Sequence, residues 1–243
     1  MTNFKPLKDY MFFLFDKLNG EYNFKPPFLD VGTGQGEFSL HLAKKGFIGD
    51  AIDISEKAIN IARKNLKKYP VNVILGDVNK IRKKYNTLLL LDVIEHIPKD
   101  HEFIKNLSKK LNIGGYIIIS VPNDPKEWGI DDVSYGHVRR YTNAQLHSLL
   151  SQNGIKILSV WDFTFPFFWI MRRVSLKVIK NRQITLSSQE LTEISSLNPY
   201  WSSFHFSRII NDSFFWKYLF PINYLFRNHG KGHEVFLLGE KIK

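Results

Sequence analysis

Cysteine is absent from the 243 residues. That excludes disulfides, thiolate metal sites and a cysteine nucleophile, and it suits a reducing cytoplasm. Long apolar runs are missing as well. The opening stretch MTNFKPLKDYMFFLFDKLNG holds an apolar patch of only five residues, too short for a signal-peptide core or a membrane span. Acidic residues are the scarcer charge, 23 against 34 Lys and Arg, for a formal net charge of +11. This balance favours anionic partners, namely nucleic acid, phosphorylated substrates or an acidic membrane surface, but it speaks to association and not to chemistry. Repeats and low-complexity segments are lacking too. What is present, 44% hydrophobic and 23% charged residues, is enough to bury a core. The expectation is one domain over 1–243 with an insertion over 164–232.

The first two thirds alternate short apolar runs with amphipathic stretches. PFLDV (27–31), FIGDAIDI (47–54), VNVILGDV (71–78), TLLLLDV (87–93), GYIIISVPN (115–123) and IKILSVWDF (155–163) read as strands, several of them apolar throughout. Strands buried on both faces imply a parallel sheet covered by helices. Between them, SEKAINIARKNLKKYP opens on Ser55 as an N-cap, and Thr142 and Gln145 stand at capping-box spacing. The alternation is that of a doubly wound α/β fold. A last strand, HEVFLLGEK (233–241), follows a long irregular region.

In FLDVGTGQGEFSLHLAKKG (28–46), three glycines fall within five positions directly behind Asp30. Ligands of doubly wound sheets bind outside the carboxyl ends of the strands. Glycines there permit positive φ and close backbone approach, and the following helix offers free N–H groups. The dinucleotide fingerprint is G-x-G-x-x-G. Here Gly32, Gly34 and Gly36 give G-x-G-x-G, which argues against a nicotinamide dehydrogenase.

The D-x-G-x-G-x-G form resembles motif I of the class I S-adenosylmethionine-dependent methyltransferases, and the likeness continues along the chain. It implies a seven-stranded Rossmann-like sheet whose last strand is antiparallel. It also implies S-adenosylmethionine as cofactor, held by Asp30, Gly32, Thr33, Gly34, Gly36, Asp53, Ile54, Asp77, Val78 and Asp92. Asp30 would organise the loop and the methionine end, Asp53 would accept the ribose hydroxyls, and Asp77 would meet the adenine amino group. A carboxylate is well suited to a diol because it is acceptor-only. A non-catalytic protein that binds the donor and has lost turnover is the alternative within this fold.

LLLLDVIEHIPKD (88–100) resembles the D-V-I-E-H of a large methyltransferase subgroup that includes the ubiquinone-pathway O-methyltransferases. Glu95, His96 and His137 are the candidate catalytic residues, since a hydroxyl acceptor needs alignment and a base titrating near neutrality. In relatives a similar E-x-x-E-H and a later histidine hold a divalent cation, which would make Asp92, Glu95, His96 and His137 the metal candidates. Here the first acid is an aspartate, one methylene shorter, and that departure weakens the metal reading. Glu95 and His96 are equally compatible with a helix cap or a solvated strand end. Arg139, Arg140 and Tyr141 are candidates for an anionic substrate group, or a solvated helix approach.

From Trp161 to Gly232 the alternation gives way to aromatics. Such additions usually choose the substrate, so Trp161 and Phe165 join the acceptor candidates. Phe167, Ile170, Met171, Val174 and Val178 fall on one helical face, and Arg172, Arg173, Lys177 and Lys180 on the other. A basic amphipathic helix reads as a membrane-surface element, and equally as an apolar stripe packed on its own domain or a lid. The expected partner is a small or lipid-linked substrate, with O-methylation as the reaction. An anionic membrane surface is a second partner if the helix is interfacial, for a cytoplasmic or peripheral inner-face location. RNA ranks last, because no RNA-binding module is recognisable.

Overall fold

The computed structural model describes residues 5–179 and 213–243. Seven strands form one sheet: β1 (Phe28–Val31), β2 (Gly49–Asp53), β3 (Val71–Leu75), β4 (Tyr85–Leu91), β5 (Leu111–Pro122), β6 (Ile155–Asp162) and β7 (Glu234–Lys241). Their order is β3-β2-β1-β4-β5-β7-β6. The pairs among β1 to β5 are parallel, and β7 runs antiparallel between β5 and β6. The carboxyl ends of β1, β2, β4 and β5 therefore share one rim. The amino end of β7 arrives there too, with Glu234 opposite Pro122.

Each strand divides its side chains between two layers, as a period of two requires. Leu88, Leu90, Ile117, Ile119 and Leu237 pack on one face with Ile104 and Leu107 of α4 (Asp100–Ser108) and with Leu146, Leu149 and Leu150 of α6 (Asn143–Ser151). Leu89, Ile118, Phe236 and Leu238 face the other layer. There they meet Tyr10, Leu14, Phe15 and Leu18 of α1 (Pro6–Tyr22), and Phe38 and Leu42 of α2 (Glu37–Lys44). They also meet Phe168 of α7 (Phe167–Ile179) and Trp216 and Phe220 of α8 (Ser213–Leu225). Phe168 and Trp216 stack at 5.1 Å with an interplanar angle of 10°. The described ends of the expected insertion thus complete one layer of the core.

Local signals operate as the sequence predicts. Ser55 accepts from the Ala58 N–H at the start of α3 (Glu56–Leu66). Thr142 and Gln145 form a reciprocal capping box ahead of α6. Three helices come without sequence forewarning: α1, the short α5 (Ile130–Tyr135) before His137, and α8 within the aromatic region. No helix among the described residues is long and apolar enough to cross a membrane.

Candidate active site

The glycine turn connects β1 to α2. Gly32 has φ +69°, and a Cβ built there would lie 2.6 Å from Val93 Cγ2. Gly36 has φ +75° and would meet Leu66 Cδ1 at 2.9 Å. Any side chain at either position is thus opposed by both backbone conformation and space. Asp30 sits beneath the turn, buried, and accepts from Thr33 Oγ and Ser39 Oγ at 2.7 Å each. Burial pushes its carboxyl up, and those two hydroxyls oppose the rise. Asp53 ends β2 beside the turn. One carboxylate oxygen accepts from Gly34 N–H at 2.8 Å and the other from Ser55 N–H at 2.9 Å. Each keeps a further acceptor site, so the pair is aimed and still able to receive hydroxyls. Asp77 follows β3, exposed, and caps Asn79 through its backbone N–H at 2.8 Å. It lines a cavity of about 370 Å³ with Ile52, Ile74 and Gly76; Glu95, His96 and His137 are not part of that lining. Ile54 is exposed and Val78 buried.

Because Val93 lies against Gly32, the turn after β4 shares the rim with the glycine turn. Asp92 stands at φ +57°, a left-handed conformation that few non-glycine residues other than Asn and Asp adopt readily. Ser120 Oγ donates to Asp92 Oδ1 at 2.6 Å. The chain then turns Glu95 inward, fully buried, with no hydrogen-bond partner on either carboxylate oxygen. Burial, then the nearby Asp92, raise its carboxyl well above the ordinary range. Ligand atoms of Glu95, His96 and His137 lie within 4.8 Å of one another. The two imidazoles stand edge to face at 4.9 Å. Burial, then His137, push His96 down to about 4, so its ring is neutral at physiological pH. His137 Nδ1 is 2.9 Å from Asp132 Oδ1, and its Nε2 is 4.0 Å from Glu95 Oε1. The Asp132 contact selects the tautomer with hydrogen on Nδ1, leaving Nε2 as an acceptor. Asp92 stands outside the three-residue group.

Residues 7–160 match the family model described as a methyltransferase domain. The chain belongs to this methyltransferase family. Its fold and family make it a class I S-adenosylmethionine-dependent methyltransferase, which sets the nicotinamide dehydrogenase reading aside. The ubiquinone biosynthesis O-methyltransferase of Rickettsia canadensis is 29% identical over 164 residues, covering 60% of this chain and 70% of that protein. Its counterpart in Rickettsia akari is 31% identical over 122 residues, covering 47% of this chain and 49% of that protein. Among solved structures, an S-adenosylmethionine-dependent methyltransferase from Clostridium acetobutylicum superposes with a TM-score of 0.58 at 13% identity. That match covers 98% of this chain and 92% of the other. Magnesium protoporphyrin IX methyltransferase from Synechocystis, with S-adenosylmethionine bound, gives 0.51 at 21%, covering 66% and 77%. At these identities the structures show a shared fold.

The methyltransferase turns several of the other expected site residues inward. Arg140 is buried, and its Nε donates to both oxygens of Asp132 at 2.9 Å. Its Nη1 donates to the carbonyls of Asn123 and His233. Arg139 pairs with Asp100 at 2.8 Å, and Tyr141 donates to the same carboxylate oxygen at 2.8 Å. Trp161 is buried, edge-on to Tyr224; Phe165 stacks on His229. On α7 the division of faces differs from the expected one. Arg172 is buried and pairs with Asp131 at 2.6 Å and Glu127 at 2.9 Å, while Ile170 and Val174 are 50% and 42% exposed. Three acids, Glu127, Asp131 and Asp132, draw the guanidinium inward. The Lys177 and Val178 side chains, Lys180 and the polar stretch 185–198 lie outside the description. Asp132, Asp100, His233 and Glu234 are site neighbours that the sequence reading missed. A His-Glu pair directly ahead of the apolar run VFLL is the signal that would have found the last two.

Proposed function

We propose that this methyltransferase transfers the donor's S-methyl group to an oxygen of a small, lipid-linked or glycan-linked acceptor. The donor would lie along the glycine turn, its ribose hydroxyls on Asp53 and its adenine amino group towards Asp77. The acceptor would enter beside Glu95, His96 and His137. The observation that carries this reading is the pinned His137: Asp132 fixes Nδ1, and Nε2 is left towards a buried, unpartnered carboxyl. That is the arrangement of a base held in one tautomer. As the acceptor oxygen attacks the methyl carbon, a C–O bond forms and the C–S bond breaks, so the sulfonium becomes a neutral thioether. The hydroxyl proton passes to His137 Nε2. The O-methyltransferase names of the curated relatives support oxygen as the acceptor atom.

Glu95, His96 and His137 also fit a divalent cation. One buried carboxyl without a partner and two neighbouring imidazoles form a suitable donor set. Bound there, a cation would lower the pKa of the acceptor hydroxyl. Asp92 is not part of that set.

The described ends of the aromatic insertion support its role in choosing the acceptor. Ile170, Val174, Tyr218, Ile222 and Leu225 leave apolar surface on α7 and α8, which favours an acceptor carried on a lipid and a peripheral contact with an anionic bilayer. The test is transfer of radiolabel from methyl-labelled S-adenosylmethionine into fractionated cell extract. Label in an alkali-stable methyl ether of the lipid or small-molecule fraction is expected, falling about 10²–10⁴-fold in His137→Ala. Label only in protein or nucleic acid, or none, contradicts the proposal.

A further inference from the structure

The entry to β7 is held through four backbone groups. Gly232 N–H donates to Asp162 Oδ2, and a Cβ there would collide with the same carboxylate. His233 N–H donates to Thr164 Oγ at 2.8 Å. The His233 carbonyl accepts from Asn123 N–H at 2.8 Å and from Arg140 Nη1 at 3.0 Å. The Glu234 carbonyl accepts from Phe163 N–H. Over this fixed backbone three buried side-chain atoms, both His233 ring nitrogens and Glu234 Oε2, lack a hydrogen-bond partner. The His233 ring is 2% exposed with neither nitrogen hydrogen-bonded. Glu234, 17% exposed, lies 3.8 Å from that ring, and its buried Oε2 has no partner. Buried polar groups are nearly always satisfied, so two orphaned neighbours on an over-determined loop require an explanation.

Their position supplies one. Glu234 stands opposite Pro122, at the rim that holds the β4 turn. By strand alternation it shares a face with Phe236 and Leu238, the face that carries the aromatic layer of α7 and α8. Its charge reaches Asp92 and Glu95. It therefore stands at the rim of the β4 turn, its charge coupled to Glu95, on the sheet face that carries the aromatic layer.

We propose that Glu234, backed by His233, is a specificity residue that binds a second hydrogen-bond donor on the methyl acceptor, a hydroxyl or an amine separate from the oxygen to be methylated. This rests on the acceptor reading above. An acceptor with only one donor would leave Glu234 Oε2 unpaired in the complex, and sites built around a polar partner reject analogues that lack it.

Ligand-observed NMR on the S-adenosylhomocysteine-loaded protein, with phenol, catechol and 2-aminophenol as probes, tests this. Catechol or 2-aminophenol should bind at least tenfold more tightly than phenol. The stronger of the two tells hydroxyl from amine. Glu234→Ala should abolish the preference with S-adenosylhomocysteine affinity unchanged. Glu234→Gln, which keeps the shape, should reduce it and guards against misfolding of the alanine variant. Equal binding of the three probes, no binding of either two-donor probe, or a preference that survives both substitutions overturns the proposal; a buried water would then be the partner of Glu234. Failure of the wild-type protein to bind S-adenosylhomocysteine, read in the same samples, overturns the donor reading and this proposal with it.

Discussion

At the scale of single residues, the site is built from conformations and burials that an ordinary sequence avoids. Gly32 combines φ +69° with a Val93 methyl where its Cβ would stand. Gly32→Ala should cost about 1–3 kcal/mol in urea unfolding and weaken donor binding at least tenfold; wild-type values for both would show that the turn tolerates a side chain. Glu234 gives a pH signature. Burial, then Asp92, push its carboxyl up to about 8, with Asp131 adding to the rise and Arg140 and Arg172 opposing it. A folded-state value above the unfolded one means that the native state binds more protons between the two. Stability is therefore lost as pH rises from about 4.5 towards 8. Glu234→Gln mimics the protonated form. Its stability relative to wild type should improve by at least ~1 kcal/mol between pH 5 and pH 8. Parallel curves for the two proteins would mean that Glu234 is ionised throughout.

At the scale of elements, the segment 125–137 that leads through α5 to His137 is fastened by arginines, Arg172 foremost, with Arg140 on Asp132 and Arg173 on Glu127. Arg172 of α7 reaches Glu127, Asp131 and, at 3.7 Å, Asp132 of α5. Asp132 in turn positions His137. Removing this buried charge leaves Asp131 without a partner, while Asp132 keeps Arg140 and Glu127 keeps Arg173, so Arg172→Ala should destabilise the protein by about 3–5 kcal/mol. It should also reduce turnover more than donor affinity. A change within about 0.5 kcal/mol would show that the acids find solvent instead. These elements mark the limit of what the sequence discloses. Strands such as TLLLLDV announce themselves because both faces are apolar, and the Thr142–Gln145 box by its fixed spacing. The six-residue α5 has no room for a hydrophobic period. Arg172 reads as a solvated base because its three acids lie 40 to 45 positions away or are hidden in that short helix. The rim itself was legible: Asp30, Asp53 and the glycines come to one edge. The inward turn of Arg140 depends on Asp132 of α5 and on the carbonyls of Asn123 and His233, and the place of Glu234 on the pairing of β7 with β5, none of which a local pattern carries.

At the scale of the whole molecule, one sheet supports two regimes. Its left half, β3-β2-β1-β4, is the parallel unit whose strand tips are suited to a donor. Its right half, β5-β7-β6, returns β7 antiparallel and so brings Glu234 back to the same rim. The aromatic layer of α1, α7 and α8 closes one face over both halves. A formal charge of +11 and the apolar surface on α8 give an expectation for the intact protein. It should sediment with vesicles containing anionic lipid and be released by salt; indifference to vesicles would leave the insertion as a lid over a soluble acceptor.

The central claim is that this rim holds S-adenosylmethionine with Asp53 on its ribose. Isothermal titration of the wild-type and Asp53→Ala proteins with S-adenosylhomocysteine tests it most directly. Saturable one-site heat in the wild type, weakened at least tenfold by the substitution, is the predicted result. No heat from folded wild-type protein, or equal affinity in both, would contradict it.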